Sequence, residues 1–92
     1  MNTDIIHFEL NEASIHLANL VTEIRDGTIE PDNTPALAID LAHIMDHLCL
    51  AWNCKDMTHE QMDALTQEEF EQLCNTVPNF MGNRILGEYA LS

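Results

Sequence analysis

Basic residues are almost missing from this chain. Arg25, Lys55 and Arg84 are its only Lys or Arg in 92 residues, against sixteen Asp and Glu, and with the five histidines neutral the formal charge is −13. Affinity for nucleic acid comes mostly from Lys and Arg that displace counterions from phosphates, so direct nucleic-acid binding is not expected. Docking on an anionic membrane surface is disfavoured on the same ground. Long apolar runs are missing too: none approaches the ~20 residues that span a bilayer. The start, MNTDIIHFEL, lacks the basic residues and unbroken apolar stretch of a signal peptide.

Cysteine, glycine and proline are scarce, at three each. Cys49, Cys54 and Cys74 are an odd number without a repeated spacing, which reads as reduced thiols in a cytoplasmic protein. Few glycines and prolines together with 46% hydrophobic residues exclude the disordered acidic class, whose apolar content is too low to offset chain entropy. No glycine-rich phosphate loop, G-x-S-x-G or paired CxxC is present. No alternating run is long enough for a strand. What remains is one all-α acidic domain over 1–92, expected to be non-catalytic and to need no cofactor.

Apolar residues at Ile6, Leu10, Ala13, Leu17, Leu20 or Val21, and Ile24 recur in steps of three and four, as one helix face requires. With Thr3 or Asp4 as cap and Gly27 just past the end, the first helix covers roughly Asp4 to Asp26. GTIEPDNTP is a loop. Thr34 then caps a second helix with Pro35 at its first position, running through PALAIDLAHIMDHLCLAW to near Asn53. Thr58 with Gln61 and Thr66 with Glu69 are successive capping boxes, with Met57/Met62 and Leu65/Phe70 as their staples. They predict helices over His59–Ala64 and Gln67–Val77, or one bent helix. In the tail, Asn79 can cap a last helix, or RILGEYAL can lie extended. The expected fold is a small bundle of four to five helices built on a long antiparallel pair.

On a wheel of about 100° per residue, Leu37, Leu41, Ile44, Met45, Leu48 and Trp52 share one broad face of the second helix, the expected core stripe. Ile39 and Leu50 fall nearly opposite it, and Phe8 and Ile15 stand opposite the main stripe of the first helix. A helix that is apolar on two sides is central or lies at an interface. Phe8, Ile15, Ile39 and Leu50 are therefore expected to bury against a second copy, most simply in a two-fold homodimer. The competing reading is a monomer whose C-terminal helices cover both faces.

Asp40, His43 and His47 form D-x-x-H-x-x-x-H on one wedge of the second helix, and Glu9, Glu12, His16 and Glu23 form a similar line on the first. Facing helices that present His and carboxylate inward are how bundles build metal sites. His16, His43 and His47, with Asp40 or Glu12, are thus candidate ligands for Zn²⁺ or iron. The ordinary expectation for two polar wedges is that they face water. HIMDH lacks the glutamate of H-E-x-x-H, so a metallohydrolase is not expected. Cys49 and Cys74 sit on or beside apolar stripes, and Cys54 is expected to be exposed at a helix end.

Between residues 56 and 71 lie Asp56, Glu60, Asp63, Glu68, Glu69 and Glu71 with no base among them. Such acid favours helix N-termini and solubility. It can also steer a basic partner protein, or mimic DNA phosphates in a nucleic-acid-binding groove. The sequence thus reads first as a small acidic interaction module, with the histidine metal site and the DNA mimic as alternatives.

Overall fold

The computed structural model describes residues 1–78, and among these it has four helices and no strand. The expected tail elements at Asn79 and RILGEYAL lie outside the described residues. Helix α1 spans Thr3–Arg25 and α2 spans Thr34–Asn53; α3 covers His59–Asp63 and α4 covers Gln67–Asn75.

Local chemistry sets these limits. The α1 cap is Asn2, one residue before the expected Thr3: its side-chain oxygen accepts from the Ile5 N–H at 3.4 Å while its amide donates to the Met57 carbonyl at 2.8 Å. One side chain thus starts a helix and fastens it to the α2–α3 turn. Gly27 follows at φ +84°, the left-handed conformation that side chains with a Cβ resist. Asn33 rather than Thr34 caps α2, accepting from the Ala36 N–H at 3.2 Å. Both predicted capping boxes are complete, so 58–77 is two helices rather than one bent one. Helix α4 ends at Asn75, earlier than expected. Thr76 is already extended, and the Asn53 amide donates to the carbonyls of Leu73 and Thr76 at 2.8 Å. Those acceptors are the kind a helix C-terminus leaves without internal partners.

Helices α1 and α2 pack together, and α4 packs on α2. Cross-helix contacts rise along α1 as they fall along α2: Ile5 meets Leu50 and Cys54, Glu9 meets His47, and His16 meets His43. Two clusters form the core. Ile5, Leu50 and Cys54 are covered by Met57, Met62, Leu73 and Cys74; Ala13, Leu20 and Ile44 are covered by Ile29 and Leu37.

The buried face of α1 keeps Ala13 and Leu20 of the expected stripe and adds Ile5 and Glu9, while Leu10, Leu17, Val21 and Ile24 are about half exposed. On α2 Ile44 is buried as expected, but Leu41, Met45, Leu48 and Trp52 are exposed, and Cys49, Leu50 and Ala51 are buried instead. Of the polar wedges, Glu9 turns inward, where it meets His47 across the two helices; His16 and His47 are half-buried and His43 is exposed. Cys54, expected exposed, is fully buried under α4. None of the described helices is long and apolar enough to cross a membrane.

Candidate metal centre

His43 and His47 stand one turn apart on α2, and His16 reaches them from α1. The Nε2 atoms of His16 and His43 are 3.0 Å apart, and one ligating nitrogen from each of the three rings lies within 4.8 Å of the others. The rings of His16 and His47 are nearly parallel, with centroids 5.4 Å apart, and His43 stands edge-on to both. A tetrahedral ion at Zn–N distances of ~2.0–2.1 Å holds its nitrogens ~3.3–3.4 Å from each other. One pair is already close to that spacing, and the third nitrogen lies within 4.8 Å of both.

Glu9 completes the arrangement. It is 94% removed from solvent, and its Oε1 is 2.7 Å from His47 Nδ1. A carboxylate bound to one imidazole nitrogen fixes the ring's orientation and leaves Nε2 as the donor toward an ion, the usual outer support of a metal-bound histidine. Among the described residues, neither His16 nor His43 has such a second partner. Their 3.0 Å contact requires one nitrogen to carry a proton and the other to accept it. The donor set is nitrogen-rich, lies on rigid helices, and is surrounded by acid. It fits a borderline divalent metal such as zinc, or iron.

Asp40 does not join the three histidines. It lines an adjoining cleft of about 260 Å³ with His16, Asn19, Thr22, Glu23 and His43, where it adds negative charge and not a converging ligand atom. Its expected place among the ligands is therefore corrected. Glu12, the other expected carboxylate, lines a second cleft beside His47, Phe8 and Leu50. The carboxylate that contacts the histidine set is Glu9, which lies seven residues, two turns, before His16 on the same face.

The remaining expected sites separate. Phe8, Ile15 and Ile39 are exposed, whereas Leu50 is 3% exposed within its own chain. Leu50 packs against Ile5 and Cys54 and so cannot serve a self-association face. All six carboxylates from Asp56 to Glu71 are exposed. Three have local partners: Glu69 closes a capping box, Glu71 accepts from Gln67 at 3.1 Å, and Asp56 lies 3.6 Å from the Lys55 ammonium. All three thiols are pushed up from the ordinary cysteine value. Burial is the main cause, assisted by Asp46 at Cys49 and by Glu9 at Cys54. Asp46 and Glu9 act in that order at Cys74, with the neighbouring thiols adding to them. Such thiols are poor nucleophiles at neutral pH.

No protein-family model matches the chain, and neither does any curated protein or solved structure. The chemistry of the site therefore has to be read from its geometry.

Proposed function

We propose that this protein is a metal-binding helical bundle in which His16, His43 and His47, carried by an antiparallel α1–α2 pair, hold one divalent transition-metal ion, zinc in the first instance. The observation that carries this reading is the convergence of three imidazoles from two helices with a buried carboxylate behind one of them. Histidines that merely solvate a polar wedge need no such support, and a buried Glu is uncommon unless it is paired. Acidic residues in the flanking cleft, Glu23 and Asp40, add a negative potential that favours a cation.

Three protein ligands leave a tetrahedral ion one position for water or a small ligand, the arrangement of exchangeable sites and not of closed structural ones. A bound ion there would supply Lewis acidity to whatever takes that position. The chain's own contribution is to orient the imidazoles, with Glu9 holding His47. In this reading the acid of 56–71 caps α3 and α4 and keeps a highly charged small protein soluble.

The test is cobalt substitution. Co²⁺ added to the purified protein should give the visible absorption of a tetrahedral nitrogen-ligated ion at one equivalent. His47→Ala should abolish it, and Asp40→Asn should leave it. Absence of the spectrum, or its survival in His16→Ala and His47→Ala, overturns the reading.

A further inference from the structure

The two clefts beside the metal centre take their α1 and α2 residues from one flank of the helix pair: His16, Asn19 and Asp40 in the first, Phe8, Glu12 and Leu50 in the second. At about 100° per residue, these lie to one side of the line Glu9–Ile44 along which the helices meet. Leu10, Leu17 and Val21 of α1 lie to the other side, and so do Leu41, Met45 and Leu48 of α2. Because cross-helix contacts run in opposite order along the two helices, these two stripes fall on the same flank. All six residues are 40–54% exposed.

That flank has a second property. Between and beside the six stand Ser14, Ala38 and the two ends of the stripes, and neither helix places an Asp or Glu there, although the chain carries −13. On α1 and α2 the carboxylates lie elsewhere; at the Trp52 end of the flank the Lys55 ammonium stands 4.4 Å from the indole ring centre.

We propose that this flank of α1 and α2, on which neither helix places a carboxylate, is the interface of a two-fold homodimer, its occupant a second copy of the same chain. Two copies at −13 repel each other in any docking that brings carboxylates face to face; this is the flank on which they can meet without doing so. The small side chains of Ser14 and Ala38 let helices approach closely. Ile24 and Trp52, about half exposed at the stripe ends, extend the apolar surface toward the ~800 Å² that each partner contributes to a standard interface. A symmetric interface needs only one self-complementary patch. The dimer leaves the opposite flank, with its histidines and clefts, open on both copies, and it does not depend on the metal.

Sedimentation of the full chain across the micromolar range tests this. The expected result is a species of twice the 10.4 kDa chain mass, whose dissociation constant falls as salt screens the residual repulsion. Leu17→Glu and Met45→Glu should each weaken it at least ~100-fold by burying an unpaired carboxylate. Both sites are half exposed in the single chain, so each variant should keep its helical circular dichroism. Phe8→Glu, on the opposite flank, should leave the dimer unchanged. A chain that stays monomeric overturns the proposal, as does a dimer indifferent to Leu17→Glu and Met45→Glu or one abolished by Phe8→Glu. For a monomer, the alkylation rate of Leu17→Cys then tells whether residues 79–92 cover the flank: slow if they do, fast if nothing does.

Discussion

The two flanks of the α1–α2 pair differ in nearly every respect. One carries His16, His43, Glu12, Glu23 and Asp40, opens into clefts, and receives the core residues Ile5, Leu50 and Cys54 under the C-terminal helices. The other is apolar and receives no Asp or Glu from α1 or α2, with Leu10, Leu17, Leu41 and Met45 half exposed. Exposed apolar residues scattered singly mean little, and so does a polar wedge. Their segregation, acid and imidazole to one flank and aliphatic residues to the other, is what the proposed metal centre and the proposed dimer rest on. Chemistry with a cation suits the first, and contact with another apolar surface suits the second.

The largest expected effect separates the flanks by stability. Leu50→Ala removes a buried side chain from the Ile5–Cys54 cluster and should cost ~2–5 kcal/mol. Leu17→Ala, on the open flank, should cost about 1 kcal/mol or less at concentrations where the chain is monomeric; urea denaturation measures both, and equal losses would erase the distinction. Zinc comes next. At a free concentration 100 times the dissociation constant it should stabilise the protein by about 2.7 kcal/mol, an increment absent in His43→Ala. Glu9→Gln keeps an acceptor beside His47 but loses the charge. Zinc affinity should drop ~10–100-fold, and calorimetry should find the apolar-flank dimer unaltered.

The smallest effect belongs to α4. Hydrogen bonds from the Thr66 backbone and hydroxyl side hold the fully exposed Glu69 carboxyl below its ordinary 4.5. A carboxyl depressed in the folded state stabilises fully above its ordinary value, and that contribution is lost as pH falls through the folded one. Glu69→Ala should flatten this part of the acid-side stability curve and leave both flanks as they were.

Much of the fold was legible in the sequence because helix ends are written locally. Thr58/Gln61 and Thr66/Glu69 specified two capping boxes, and both are made; Gly27 marked the end of α1. Which way α1 and α2 turn was not legible. Periodicity finds the centre of the apolar stripe and assumes it points inward, which placed Leu10, Leu17 and Val21 in the core. Of that stripe Ala13 and Leu20 are buried, and inward burial is completed by Ile5 and Glu9. Glu9 can be buried because His47, 38 residues away, satisfies it, and no local pattern encodes that pairing. The histidine set was legible as a spacing, since His43 and His47 lie four apart. Its convergence with His16 required the helices to be placed, and so did the exclusion of Asp40.

The central claim is that the cluster of His16, His43 and His47 is a metal centre. Zinc titration of the full chain by isothermal calorimetry addresses it most directly. One ion per chain is predicted, with binding lost in His16→Ala, His43→Ala and His47→Ala, weakened in Glu9→Gln and retained in Asp40→Asn. Zinc uptake that is absent, or indifferent to the three histidine substitutions, would contradict it.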